Sequence, residues 1–204
     1  MVANTARRRS PGRPQAFNPK EALDRAVEMF WEHGYEGVDV DRIARTVNVT
    51  KPCLYREFGD KSTLLLRAVQ RYTETYGAPM MQAFLAETDI RKAVTAFCET
   101  TVATATGNPR TGCLMAAAAL GQSERVAEIR RHCARGLAAS ADLLAQRFQK
   151  EIAAKRLSAR ISAKVRGRVL IDMMQGIMLR ARAGVPRERL LTDARSYVPV
   201  VLAE

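Results

Sequence analysis

Side chains able to bind nucleic acid are concentrated between residues 51 and 56, where Lys51, Tyr55 and Arg56 occur together. Lysine and tyrosine can bind phosphate, and a guanidinium can form two hydrogen bonds to the edge of a guanine. Leu54 and Phe58 are four residues apart, so they would form the buried stripe of a short helix and leave the three polar side chains outside. The pattern is typical of a helix that reads the DNA major groove; the alternative is a solvated face of an ordinary three-helix cluster.

A second helix must precede this one to hold it in place. Its hydrophobic residues recur at i, i+3, i+4 and i+7, along one helix face: Val40, Ile43, Ala44 and Val47. Asp39 is a capping residue just ahead of them, and Asn48 tolerates the left-handed conformation of a helix-ending turn. Thr50 and Pro52 suit the first turn of the next helix, where amides lack intrahelical partners. Together these segments predict a helix-turn-helix from 39 to 58.

The segment from Ala22 to Leu65 resembles the N-terminal domain of the TetR family of bacterial transcriptional regulators. The resemblance rests on FWEHGY at 30–35, DRIA at 41–44, NVTKPCLY at 48–55 and FGDK at 58–61. GRPQAF at 12–17 and GCL at 112–114 resemble a subgroup of that family, and the rest matches only in helix pattern. The chain has Asn48 where glycine is usual, and Cys53 and Arg56 also depart from the common residues.

The resemblance and the exposed spacing together predict the residues that face DNA: Arg13, Thr50, Lys51, Pro52, Tyr55, Arg56 and Lys61. Lys51 and Lys61 are expected mainly on phosphates, and Lys61 would add its charge to the positive end of a helix. Arg13 belongs to residues 1–16, which are polar and interrupted by Pro and Gly, so we expect a disordered basic arm. Such an arm can follow the DNA backbone or enter a minor groove; a solvated tail or an expression remnant is the alternative.

The composition predicts a folded protein, with 47% hydrophobic residues among 204. No run approaches the roughly 18 apolar residues of a membrane span, and no apolar run follows the basic start, so a cytoplasmic location is expected. Most of the net charge of +12 lies outside the helix-turn-helix: residues 1–61 contain 11 Lys and Arg against 9 Asp and Glu, and residues 125–168 contain 12 against 3. The motif, not the total charge, therefore favours DNA binding.

Helical periodicity continues to the end of the sequence, without strand-like alternation. This predicts an all-α fold of about nine helices. Three regions are expected: the disordered basic arm at 1–16, a helix-turn-helix domain at 17–62, and a ligand-binding and dimerisation domain at 63–204. A long helix after Asp60 would join the two domains, and Pro79 would end or kink it near residues 76–78.

No catalytic constellation is recognisable. His33 and His132 stand alone, and the G-x-S-x-G, H-E-x-x-H and P-loop motifs do not occur, so neither an enzyme nor a cofactor is predicted. The cysteines lack CxxC spacing, which favours buried free thiols: Cys53, Cys98, Cys113 and Cys133. A metal or redox role for the last three is the alternative.

The family resemblance implies a homodimer through the last two helices. Eight apolar residues near the chain end are candidates for that contact: Val165, Val169, Met173, Ile177, Leu190, Leu191, Tyr197 and Val201. The alternative buries the whole stripe within one subunit. A two-fold dimer would place its recognition helices about 34–36 Å apart, or a multiple of that distance.

The resemblance also implies an effector pocket within the C-terminal domain. The expected lining is Phe97, Met115, Phe148, Met173, Met174 and Met178. Methionines adapt to irregular cavities, which favours a hydrophobic or amphipathic ligand, and Arg130, Arg131 and Arg135 could hold an anionic head group. The alternative is that the methionines fill the core and the arginines are solvated.

These observations favour a dimeric transcriptional regulator, a repressor released from a palindromic operator by a small, largely apolar molecule. Two alternatives remain: a ligand-independent architectural DNA-binding protein, and a redox- or metal-responsive repressor that uses cysteines. A C-terminal region of about 140 residues is more than dimerisation alone requires. This size favours a domain that binds an effector.

Overall fold

The computed structural model describes residues 17–107, 112–119 and 126–203. These ranges contain helices and no strand, which confirms the predicted all-α fold. The helices are α1 (Pro19–His33), α2 (Val40–Thr46), α3 (Lys51–Phe58), α4 (Lys61–Tyr72), α5 (Ala78–Ala86), α6 (Ile90–Thr106), α7 (Leu114–Ala119), α8 (Ala127–Ala153), α9 (Ala163–Arg182) and α10 (Arg187–Val201). A π-helical turn, Thr73–Gly77, joins α4 to α5 in one continuous helix, so the described residues form nine separate helical segments. The predicted arm with Arg13 lies outside the described residues.

Helix α2, the turn after it and helix α3 are set by local capping chemistry. Asp39 Oδ1 accepts a hydrogen bond from the backbone N–H of Asp41 at 2.9 Å and caps α2. Asn48 follows α2 with φ of 54°, in the left-handed region that asparagine tolerates. Thr50 occupies the cap position of α3, but its hydroxyl makes no capping hydrogen bond. The start of α3 is therefore set by backbone geometry and by Pro52, without a side-chain cap.

Helices α1, α2, α3 and the first half of α4 share one core, and we call them the N-terminal unit. Phe30, Ile43 and Leu54, one from each of the first three helices, have no exposed surface. Complete burial of such a side chain contributes about 1.5–3 kcal/mol to folding. Phe58 is 3% exposed and turns inward beside Leu54, so the opposite face of α3 must point outward.

Residues 61–86 form one continuous helical segment, from α4 through the π-helical turn to α5. The sequence predicts that Pro79 ends or kinks the helix near residues 76–78. The helix does not end there, because the chain remains helical past the proline, and a π-helical turn interrupts the regular α-helix just before it. Proline has no N–H to donate to the preceding turn. A turn with i→i+5 hydrogen bonds directly before it accommodates the interruption without ending the helix.

The C-terminal bundle is centred on α6, α8 and α9, with α5 and α10 packed against α6. Phe84 of α5 lies between Phe97 and Phe148, with ring centroids 6.2 and 5.7 Å away. These aromatic rings form the middle of the core. None of the helices within the described ranges is long and apolar enough to cross a lipid bilayer.

A buried arginine closes one end of the bundle. Arg166 is only 1% exposed and donates hydrogen bonds to the carbonyls of Ser158 and Ile161, which precede α9. It also donates to the carbonyls of Val201 and Ala203 at the end of α10. The last carbonyls of a helix lack intrahelical partners and carry partial negative charge, so they suit a cation. Burial lowers the pKa of the Arg166 guanidinium.

The outer face of α9 and α10 keeps apolar side chains at the surface. Val165, Leu179 and Val200 are 45%, 68% and 56% exposed, and Val169 and Met173 are half-buried. Three members of the apolar stripe proposed for the dimer are instead buried within the subunit: Ile177, Leu190 and Val201. They lie inside because both helices also pack against α6.

Candidate nucleic-acid interface and effector cavity

The outer face of α3 carries Lys51, Tyr55 and Arg56. Arg56 is exposed and Tyr55 is 37% exposed. Lys51 Nζ lies 5.9 Å from the centroid of the Tyr55 ring, and Arg56 Nη2 lies 3.7 Å from Cys53 Sγ. Thr50 and Pro52 are exposed at the start of the same helix. The face therefore offers two cations and two hydroxyl groups in about two helical turns.

Lys51 is held by an ion pair to the neighbouring helix. Its Nζ lies 3.0 Å from Asp41 Oδ2 on α2. The hydrogen bond to Asp41 raises the pKa of Lys51. Because the pair is open to solvent, it is screened and weak, and a DNA phosphate can replace Asp41 at little cost.

Lys61 lies at the first residue of α4, next to the helix cap. Asp60 Oδ1 accepts a hydrogen bond from the backbone N–H of Thr63 at 2.8 Å, and Lys61 Nζ lies 4.7 Å from the centroid of the Tyr35 ring. Burial lowers the pKa of Lys61; the carboxylates of Glu36 and Asp39 oppose this shift, and the positive charge of Lys51 adds a smaller lowering effect. The two lysines are thus close enough to interact, and both can face one phosphate backbone.

Tyr35 is a site residue that sequence analysis did not identify. It belongs to the FWEHGY segment, which supports the family resemblance but gives no sign of a contact with Lys61. Tyr35 is only 8% exposed, and its ring faces the ammonium group. A cation–π contact of this kind restrains the lysine while leaving its charge available.

A cavity of about 480 Å³ lies within the C-terminal domain. Its wall is formed by α4, the π-helical turn, α5, α6, α8, α9 and residues 113–115. The wall is mainly apolar and rich in sulfur, with Met80, Met81, Met115, Met174, Met178 and Cys113 among its residues. Such a volume and lining suit a drug-sized apolar molecule.

The structure brings four of the six expected pocket residues to this wall: Phe97, Met115, Met174 and Met178. Phe148 does not line it, because its ring packs against Phe84 in the core. Met173 does not line it either, because it is about 100° around α9 from Met174, toward the outer face, and is half-buried there. Helical spacing alone predicted a buried face but did not separate the cavity side from the core.

Polar residues are a minority of the wall, and several of them are exposed. Gln70 and Glu74 are exposed, whereas His132, Ser140 and Gln175 are partly buried. No arginine or lysine occurs among the described residues that line the cavity, so Arg130, Arg131 and Arg135 do not supply the suggested anion site there. Arg131 and Arg135 are exposed and Arg130 is half-buried on α8. The arrangement favours a neutral ligand over an anionic one.

The cysteines differ in their surroundings. Burial raises the pKa of Cys98 to about 12 and that of Cys133 to about 11, so both remain protonated thiols near neutral pH. Cys113 lines the cavity and lies 3.8 Å from Gln175 Nε2, which donates to its sulfur. In the described part of the chain, no group of three or more His, Cys, Asp or Glu side chains is placed to hold a metal ion.

Comparison with known proteins extends these observations. Residues 22–68 match the sequence family described as bacterial regulatory proteins, tetR family. The HTH-type transcriptional repressor ComR of Escherichia coli strain K12 is 33% identical over 88 residues, which are 43% of this chain and 42% of ComR. The HTH-type transcriptional activator FasR of Mycolicibacterium smegmatis is 33% identical over 109 residues, 48% of this chain and 50% of FasR. The chain thus matches half or less of the length of these curated relatives.

Solved structures match over nearly the whole chain. The TetR family transcriptional regulator CifR, a cysteine mutant complexed with 26 bp double-strand operator DNA, has a TM-score of 0.84 at 28% identity. This match covers 92% of the present chain and 98% of CifR. A TetR transcriptional regulator from Chloroflexus aurantiacus has a TM-score of 0.76 at 19% identity, covers 88% of this chain and 93% of that one, and supports the fold alone. The N-terminal match and the shared architecture lead to one conclusion: residues 22–68 form a DNA-binding domain of the tetR family of bacterial regulatory proteins, and the chain has the fold of TetR family regulators.

Proposed function

We propose that this protein is a dimeric DNA-binding transcriptional regulator, a repressor that leaves a palindromic operator when a small, largely apolar molecule fills the cavity. The observation that carries the proposal is the outer face of α3, where burial of Leu54 and Phe58 holds Lys51, Tyr55 and Arg56 outward. CifR is described with operator DNA and ComR is named a repressor, which supports the same role here.

Each contact on the proposed interface has a distinct task. Lys51 and Lys61 bind phosphates and fix the register of the protein on the duplex, and Arg56 reads a base edge in the major groove. Thr50 and Pro52 lie at the start of α3, where the backbone can approach the DNA closely. Arg13, outside the described residues, is proposed to extend the contact into the minor groove.

Substitution on α3 tests this assignment. Arg56→Ala is expected to weaken binding to the selected operator by about 1–3 kcal/mol, because a bidentate base contact is lost. Tyr55→Phe should also weaken specific binding, through loss of the hydroxyl. The measurement is fluorescence anisotropy with an operator obtained by in vitro selection from random DNA, at fixed salt concentration.

Lys150→Ala, on the exposed side of α8, provides the control and should leave operator affinity unchanged. Unchanged affinity in both α3 variants would refute the assignment. A footprint distinguishes the function classes: a discrete palindrome supports the regulator, whereas uniform coating supports the architectural protein. A reporter gene behind the operator should be silenced. Activation of the reporter would show that the protein is an activator and not a repressor.

The outer face of α9 and α10 supports a dimer with a second copy of the chain. Val165, Val169, Met173 and Leu179 follow one side of α9, and a Cβ added to Gly176 on this side would meet nothing within 4 Å. Arg180 of α9 donates hydrogen bonds to Tyr197 and Asp193 of α10, which holds the two helices together as one surface. A two-fold pair would build a four-helix contact from two such surfaces.

The cavity supports regulation by a ligand. An apolar molecule that fills it would remove apolar wall from water, at about 25 cal/mol per Å². Release from DNA follows only if the ligand binds better to a dimer whose recognition helices are wrongly spaced, because equal affinity for both shapes shifts nothing. Neutral apolar compounds are therefore expected to release the operator, and anionic analogues to be weaker.

A fluorescent apolar probe tests the cavity directly. N-phenyl-1-naphthylamine should bind the protein with increased fluorescence, and Ser140→Phe should lower its affinity about tenfold or more, a loss of about 1.4 kcal/mol. Ser140 lines the cavity, so the added ring occupies the space of the probe. Gln149→Phe on the exposed side of the same helix is the matched control. Equal probe binding by both variants would show that the apolar site lies elsewhere.

A further inference from the structure

We propose that Trp31 is the contact through which occupation of the cavity changes the position of the DNA-reading helices. The inference rests on the proposed function and specifies its regulation. Trp31 belongs to α1 of the N-terminal unit, yet its side chain and its backbone are both held by parts of the ligand-binding domain. The sequence motif FWEHGY does not explain this arrangement by itself.

The indole ring of Trp31 is inserted into a closed socket. The side chain is 1% exposed, and its Nε1–H donates to the carbonyl of Gly112 at 3.2 Å. The ring meets Tyr72 and Tyr76 edge-on, with centroids 4.9 Å away in both cases. Aromatic pairs of this geometry add about 0.5–1.5 kcal/mol each beyond the area they bury.

The walls of this socket are also walls of the cavity. Tyr72 lines the cavity from α4, and Cys113, which follows the hydrogen-bonded Gly112, lines it from the start of α7. The hydroxyl of Tyr72 lies beside the Cys113 thiol and, within the described residues, has no hydrogen bond of normal geometry. A ligand that displaces Tyr72 or Cys113 must therefore displace a neighbour of the indole.

The backbone of Trp31 is held from α9. Arg182 donates to the carbonyl of Trp31 at 3.1 Å and to that of Glu32 at 3.3 Å. These carbonyls belong to the last turn of α1, where helical partners are missing, so the guanidinium acts as a cap supplied by the other domain. Met178, one turn before Arg182 on α9, lines the cavity.

Gly112 allows these groups to approach one another. Its φ is +87°, and a Cβ at this position would lie 3.1 Å from both Cβ and Cδ of Arg182. Three segments of the cavity wall, α4, Gly112–Cys113 and α9, thus converge on one residue of α1. Close-packed contacts transmit displacements, so a shift of this wall is expected to move the end of α1.

The outer face of α3 is connected to α1 through α2 and α4, which both pack against α3. Helix α1 packs against α2 and α4, and Tyr35, four residues after Trp31, lies against Lys61 at the start of α4. A displacement of Trp31 therefore reaches the proposed phosphate contact. The segment from Lys61 to Tyr76, which joins the two domains, takes part in the same contact, because Tyr72 and Tyr76 both pack against Trp31.

Ser140→Phe serves as a fixed occupant of the cavity, with Gln149→Phe as the surface control. Operator affinity is measured by anisotropy in chains that retain Trp31 and in chains with Trp31→Phe, which removes the indole N–H bond to Gly112. We expect Ser140→Phe to weaken operator binding by about 5- to 150-fold, the usual range of allosteric coupling. In chains that carry Trp31→Phe, Ser140→Phe should also weaken operator binding, but the logarithm of that fold-change should be less than half of its value in chains that retain Trp31.

A second readout does not need DNA. Trp31 is the single tryptophan of the chain, so the intrinsic emission reports on its socket alone. Ser140→Phe should change the emission maximum or lifetime of Trp31, and the Gln149→Phe control should leave both unchanged. Thermal unfolding of each variant verifies that it is folded.

The two readouts separate failure of the inference from failure of the proposed function. If the wild-type chain selects no operator, the proposed function fails, and the Trp31 emission still decides whether the cavity reaches α1. The coupling is overturned if Ser140→Phe and Gln149→Phe have the same operator affinity, if the Ser140→Phe loss persists undiminished after Trp31→Phe, or if cavity occupation leaves the emission of Trp31 unchanged.

Discussion

Replacing Leu179 by Glu is expected to lower operator affinity by about 10²- to 10⁴-fold, because a monomer loses the gain from binding two half-sites together. Leu179 is 68% exposed on the outer face of α9, where the proposed dimer forms. A carboxylate there would be buried without a partner on both sides of a two-fold contact, and burial of an unpaired charge is very costly. The fold of the subunit should persist, since the side chain is exposed within one chain.

Sedimentation velocity at micromolar concentration gives the oligomeric state, and anisotropy gives operator affinity for the same samples. Leu85→Glu is the matched control, because Leu85 is 47% exposed on α5, away from the proposed contact. It should leave both measurements unchanged. A monomeric wild-type protein that binds the palindrome tightly, or a Leu179→Glu variant that remains dimeric, would refute the proposed dimer face.

Loss of the buried cation should strongly destabilise the C-terminal domain. Arg166→Ala is expected to lower the free energy of unfolding by about 3–5 kcal/mol, because removal of one member of a buried charged network leaves its partners without hydrogen bonds. The orphaned groups are the carbonyls of Ser158, Ile161, Val201 and Ala203. Arg166→Lys should be intermediate, since an ammonium group cannot reproduce the planar arrangement of donors.

Urea denaturation followed by circular dichroism measures the change, at one protein concentration because dimerisation also contributes to stability. Lys150→Ala, at an exposed position of α8, should change stability by no more than about 0.5 kcal/mol. Similar midpoints for the two variants would show that Arg166 does not stabilise the end of the bundle.

The sequence predicts the N-terminal unit well because its signals are local. The i, i+4 spacing of Leu54 and Phe58 sets the inner face of α3, and the conformational tolerance of Asn48 sets the turn. Each depends on residues within a few positions of one another. The all-α fold follows from the same kind of local periodicity.

The cavity and its connections depend on contacts between distant residues, which periodicity does not encode. Trp31 and Gly112 are 81 residues apart, and no spacing rule joins them. Met173 and Met174 are adjacent and chemically identical, yet only the second lines the cavity. Arg166 is one of the many basic residues between 125 and 168, and its sequence neighbours give no sign that it is buried.

The π-helical turn at Thr73–Gly77 allows one continuous helix to pack into two hydrophobic cores. An α-helix keeps its buried stripe on one side, whereas a turn with i→i+5 bonding contains an extra residue and rotates the phase of everything that follows. Before the turn, α4 packs against α1; after it, α5 packs against α6. Deletion of one residue from this turn would restore ideal α-helical geometry and, by the same rotation, would point Met80 and Phe84 away from the core they now fill.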